Sequence, residues 1–230
     1  MHTARFLLPA LVVLGLGASP SDEPPTLMTE RGKPLFSDPL NTAPGKAWNI
    51  GKGKWEAADG ALVGSEVKSD MHGAVMRHAQ KFRDGIIQYS FKLDGARTTT
   101  LSLNTARAHL CRVVITPAGF RVQKDDSDHK GPDKAIVFQA VKTRITPGEW
   151  HTIVVELRGS EMLASLDGKH VAFGANDALD VEKFNLGLTV AGESAAFKNL
   201  SVWEALPNSG WEKTKAKLLA EQPKTAARNK

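Results

Sequence analysis

The chain has 230 residues, with 30 Lys and Arg against 25 Asp and Glu, and a single cysteine, Cys111. One thiol excludes an internal disulfide, so apolar burial has to hold the fold together. The positive surplus sits at the C-terminus, where Lys213, Lys215, Lys217, Lys224, Arg228 and Lys230 face only Glu212 and Glu221. The remaining body is close to neutral, which argues against nucleic-acid binding, since that would put a basic face on the fold itself.

Residues 1–18 read as a signal peptide. Arg5 precedes an apolar run, Phe6 to Leu16, and small residues follow at Gly17, Ala18 and Ser19. The run is shorter than the about 20 residues that span a membrane. The expected location is therefore secreted or periplasmic, with no transmembrane segment after cleavage; an uncleaved N-terminal anchor is the competing reading. Residues 19–34 are polar and proline-rich and read as a linker, so folding is expected to begin near Leu35.

From residue 35 to 206 short strand signals recur between Gly, Asp, Pro and Asn. Trp55–Ala57 and Ala61–Val63 flank Asp59-Gly60, a hairpin signal. In Ile86–Leu93 the residues Ile87, Tyr89, Phe91 and Leu93 share one face. Thr99–Asn104, Leu110–Thr116, Gly119–Lys124 and Ile136–Lys142 follow, and Pro117-Ala118-Gly119 makes a tight connection. After Pro147-Gly148, His151, Ile153, Val155 and Leu157 alternate with Thr152, Val154, Glu156 and Arg158. Met162 to Leu166 runs into Asp167-Gly168, and Phe184 to Val190 and Phe197 to Trp203 complete the series. Many short strands and no long helix predict an all-β sandwich or barrel. Residues 207–230 form a basic tail, with a short amphipathic helix expected from Trp211 to Ala220 ahead of Pro223. Packing of Trp211 on the sandwich is the expected role of that helix; binding to a polyanion or a membrane is the alternative.

The order of Trp55-Glu56-Ala57-Ala58-Asp59-Gly60-Ala61-Leu62, Pro147-Gly148-Glu149-Trp150-His151, Leu166-Asp167-Gly168 and Phe197-Lys198-Asn199-Leu200-Ser201-Val202 resembles the 3-keto-disaccharide hydrolase domain family. That family lies in the concanavalin A-like lectin/glucanase superfamily. The resemblance spans about residues 35–206 and implies a jelly-roll β-sandwich that handles carbohydrate, as a hydrolase or lyase of 3-keto-glycosides. The paired-carboxylate motif Glu-x-Asp-x-x-Glu of some glucanases is absent, and no strand offers two carboxylates at alternate positions.

Asn104, His109, Arg112 and Gln123 are polar residues on or beside central strands, where planar polar groups could pair with sugar hydroxyls. Arg112 interrupts an apolar strand and must face solvent, a cleft or a buried partner. His109 and Asp125 are the catalytic candidates, His109 because imidazole titrates near neutrality; Asn104, Arg112 and Gln123 are the candidate substrate-binding residues. The cluster Asp125, Asp126, Ser127, Asp128, His129 and Asp133 is acidic enough to suggest Ca2+, but its spacing fails the EF-hand pattern, and a solvated loop is the plainer account. Cys111 reads as a core residue, and His151 as a hydrogen-bonded structural one. Trp48 and Trp55 suit either a core or a sugar-stacking role, and Trp150 and Trp203 are expected in the core. Two functional readings stay open: a carbohydrate-processing enzyme, or a non-catalytic laminin G- or lectin-like module that binds glycan or protein. A third makes the basic tail an envelope anchor.

Overall fold

The computed structural model describes residues 23–127 and 130–221. The expected signal peptide, the end of the basic tail, and Asp128 and His129 of the acidic cluster lie outside the described residues. The strands in chain order are β1 (Thr29–Asp38), β2 (Trp48–Lys52), β3 (Lys54–Ala58), β4 (Ala61–Ser65), β5 (Ala74–Phe82) and β6 (Gly85–Asn104). They continue with β7 (His109–Thr116), β8 (Gly119–Lys124), β9 (Ile136–Lys142), β10 (His151–Arg158), β11 (Glu161–Leu166), β12 (His170–Ala175) and β13 (Lys183–Pro207). The helix α1 (Trp211–Glu221) follows.

All the strand pairs are antiparallel, and they build two layers. The first runs β12-β11-β10, then the first half of β6, then the second half of β13, which also carries β1 and the β3–β4 hairpin. The second runs β9-β8-β7, then the second half of β6, the first half of β13, β5 and β2. Two strands therefore belong to both layers. Each crosses at a bend, where the β6–β13 ladder shifts register around Ala191, Gly192 and Ser194. Gly95 (φ 80°) and Gly192 (φ 103°) supply the backbone there that side-chain-bearing residues avoid. The sequence reading split each of these strands in two at those glycines.

Between the layers lies one core. Ile87, Tyr89, Phe91 and Leu93 face Leu101, Leu103, Cys111, Val113, Ile115, Val122, Leu186 and Leu188, and all are buried. The alternation of β6, β7 and β13 thus has the expected outcome: every second residue enters the core. Strand β10 is buried on both faces. Its outward Val154 and Glu156 are covered because Met28, Leu163, Phe173 and Trp211 form a second cluster beyond the first layer, with Leu218 of α1 packed on it. Trp211 meets Phe173 edge-on at 5.3 Å and donates from Nε1 to Glu161 Oε2 at 2.8 Å.

Two expectations need correction. The supposed linker is ordered from before Thr29: β1 begins inside residues 19–34, and Leu27, Met28 and Thr29 donate backbone N–H bonds of 2.7–2.9 Å to the buried Glu156 carboxylate. Gly32 and Pro34 disguised this strand; both are tolerated because β1 is an edge with register shifts on each side of Pro34. The core role expected of Trp150 and Trp203 is the second, while Trp48 and Trp55, open to either role, take the core one. Trp150 is 38% exposed and Trp203 is half-buried beneath the Arg31 guanidinium.

Candidate functional site

The outward face of the second layer carries the polar residues. Strand register sets Arg77 of β5, Gly187 of β13, Ser102 of β6, Arg112 of β7 and Gln123 of β8 in one row across it. The neighbouring row places Asn185 opposite Asn104, and Asn104 opposite His109. All five residues singled out in the sequence lie on or directly after β6, β7 and β8, and the structure joins them into two hydrogen-bonded groups.

In the first group, Asn104 Nδ2 donates to Asn185 Oδ1 at 2.7 Å, and Asn104 Oδ1 lies 2.8 Å from His109 Nδ1. Since Asn104 offers His109 an acceptor, a neutral His109 carries its proton on Nδ1 and its lone pair on Nε2. By the same logic Asn185, having used its oxygen, keeps its amide N–H groups as donors. The tip between β6 and β7 is pinned by Thr105, whose N–H donates to Ala108 O at 3.0 Å while its hydroxyl accepts from Ala108 N–H at 3.0 Å.

In the second group, Arg112 Nε donates to Asp125 Oδ2 at 2.7 Å, Gln123 Nε2 to Asp125 Oδ1 at 2.9 Å, and Arg121 Nε to Gln123 Oε1 at 2.8 Å. Arg112 has therefore found the partner that an arginine in an apolar strand requires. The Asp125 side chain is only 3% exposed, with both oxygens engaged. That geometry suits holding Arg112 in place better than moving a proton.

The acidic loop is organised by cations. Lys124 Nζ pairs with Asp133, which also accepts from Ser127 N–H at 3.0 Å. These bonds hold the Asp133 carboxyl down at about 2. Asp125 and Asp133 thus turn their oxygens to Arg112 and Lys124, and among the described residues no three His, Cys, Asp or Glu groups gather as a metal would need. Cys111 is fully buried and its thiol is pushed up to about 12 by burial, as befits a core residue. His151 Nδ1 lies 2.7 Å from Asp167 Oδ2, a structural contact next to the β11–β12 turn.

A cleft of about 400 Å³ opens beside the first group, lined by Arg77, Asn104, Thr105, Arg107, Ala108, His109, Ser127 and Asn185. Arg77, Arg107 and Asn185 were missed by sequence reasoning. Arg77 lies in Val75-Met76-Arg77-His78, where a buried histidine on the core side hides the alternation. Asn185 had a usable signal: it stands with Gly187 and Thr189 on the non-apolar side of a strand already recognised.

The profile of the 3-keto-alpha-glucoside-1,2-lyase-like domain matches residues 34–203. No curated protein matches the chain. Among solved structures the fold recurs in the carbohydrate-binding module CBM66 of Bacillus subtilis, at 15% identity and TM-score 0.56, over 69% of this chain and 96% of that one. It recurs in a galectin-like protein of unknown function from Bacillus subtilis, at 12% identity and TM-score 0.61, over 79% and 100% of the two chains. A Bacillus licheniformis β-glucanase aligns at 10% identity and TM-score 0.55, over 76% and 100%. The architecture is thus the concanavalin A-like jelly roll shared by glucanases and carbohydrate-binding modules, and at these identities the likeness is one of fold. With its strand-and-turn order matched from residue 34 to 203, the chain belongs to the 3-keto-alpha-glucoside-1,2-lyase-like domain family.

Proposed function

We propose that the cleft beside Asn104, His109 and Asn185 binds a 3-keto-glycoside and cleaves its glycosidic bond by elimination. The observation that carries this reading is the Asn185–Asn104–His109 hydrogen-bond chain, which sets an imidazole and two amide side chains on one cleft in a member of this family. A ketone at C3 acidifies the proton on C2. His109 Nε2 takes that proton, the C2–H electrons form the C1=C2 double bond, and the C1–O bond breaks. The leaving oxygen then takes a proton from the His109 imidazolium or from water. Negative charge develops on the C3 oxygen, and the Asn185 amide N–H groups are the donors placed to receive it. Neither step needs paired carboxylates, in keeping with the sequestered Asp125.

The test is turnover of 3-keto-glucosides against ordinary disaccharides by the purified protein. His109→Ala is expected to lower kcat by about 10²–10⁴-fold, the usual contribution of a general base, with little change in thermal unfolding. The rival reading is a binding module, which the occupied oxygens of Asp125 fit equally well. Glycan binding that disappears in Asn104→Ala, without turnover of any 3-keto substrate, would establish that rival and remove the enzyme.

A further inference from the structure

Arg77 and Arg107 line the same cleft, and neither makes an ion pair among the described residues. Elsewhere Arg31, Arg83, Arg97 and Arg112 each meet a carboxylate, Glu23, Asp180, Glu66 and Asp125, while Arg121 donates to the Gln123 amide instead. Of the acids after β8, Asp125 holds Arg112 and Asp133 holds Lys124. Arg77 is also given room. It stands between two glycines: a Cβ at Gly187 would come 3.3 Å from Arg77 Cγ and one at Gly51 would come 3.6 Å from Arg77 Nη1. Arg107 projects from the pinned β6–β7 tip at the cleft's edge, exposed to solvent.

Two guanidiniums on one cleft repel each other, and that cost is relieved by an anionic ligand. Guanidinium also presents a planar fork that fits a carboxylate or sulfate better than a lone hydroxyl. We propose that the saccharide bound here is acidic, carrying an oxyanion held between Arg77 and Arg107 while the sugar ring lies against Asn104, His109 and Asn185. This rests on the reading of the cleft as the sugar site and adds the substrate class. Arg77 and Arg107 act in it as specificity residues, outside the bond-breaking step.

Calorimetric titration at low ionic strength with trigalacturonic acid, a sulfated neocarratetraose and neutral cellotriose tests the proposal. An acidic saccharide is expected to bind about ten- to hundredfold more tightly than cellotriose, as charge-assisted hydrogen bonds allow. The uronate and sulfate arms show which oxyanion is meant. The preference should vanish in the Arg77→Gln/Arg107→Gln double variant, with cellotriose binding kept, and should shrink in high salt. Equal binding of acidic and neutral sugars, or a preference that survives the double variant, overturns the proposal. If cellotriose binding is lost in Asn104→Ala yet no acidic preference exists, this inference alone fails. If none of the three binds while a 3-keto-glucoside is turned over, this inference alone fails; if a 3-keto-glucoside is neither bound nor turned over, the sugar-site reading fails with it.

Discussion

Arg112 shows how much one residue can announce. It stands between Cys111 and Val113, both fully buried, so its charge demanded an exit or a partner. The partner is Asp125, and the pair is the most buried carboxylate–arginine contact described, with the Arg112 side chain 29% exposed. Removing Arg112 leaves a buried anion facing only Gln123. Arg112→Ala should therefore cost about 3 kcal/mol in urea unfolding, at the low end for a broken buried pair because one edge of the guanidinium already meets water. The double replacement Arg112→Leu/Asp125→Leu should recover most of it, since two apolar groups leave no charge stranded. An unchanged midpoint in Arg112→Ala would show that the pair contributes nothing. His78 gives a pH signature. It stacks on Phe36 at 3.7 Å, its Nδ1 lies 3.1 Å from Ala47 O, and burial lowers its pKa from 6.5. The folded state then prefers neutral His78 more than the unfolded state does. The contribution is fully present above pH 6.5 and is lost as pH falls through the lowered folded value. Stability should decline on acidification below pH 6.5, and His78→Phe should flatten that slope in melting curves taken across pH. The candidate residues Arg112 and Gln123 were legible because they break an apolar pattern. Arg77 and Arg107 break none, and were not.

Strands β6 and β13 are where local reading and actual structure part. Asp94-Gly95 and Ala191-Gly192-Glu193 have turn composition, and a turn was the natural expectation. In the fold they are bends at which two paired strands pass together from one layer to the other. Each half-strand alternates correctly, but the decision to bend rather than reverse depends on the partner strand bending at the same place. Gly95 has φ 80°, and a Cβ there would come 2.2 Å from Glu193 Oε2 and 2.7 Å from Glu193 Cβ. Gly95→Ala should cost about 1–3 kcal/mol, the range for a residue forced into a sparsely populated backbone region. Because both layers share these strands, tryptophan fluorescence and far-UV dichroism should still report one common guanidinium transition, shifted to lower denaturant. Two separate transitions would show that the layers unfold independently.

Over the molecule, the alternation of apolar residues and the intervening Gly, Asp and Pro were enough to imply an all-β sandwich, because side-chain direction in a strand has a period of two whatever lies beside it. The same periodicity made Cys111 a core residue and put Asn104, Arg112 and Gln123 on or beside central strands. It carried no information about neighbours in space. That β1 lies within an apparent linker follows from pairing with β13, and that Glu156 is buried follows from three backbone N–H groups brought to it from more than a hundred residues away. The cleft is of this second kind: Arg77 comes from β5, Asn185 from β13, Asn104 from β6 and His109 from β7, and register across four strands makes them neighbours. Local sequence sets which face a side chain takes, while long-range strand pairing sets what it meets there.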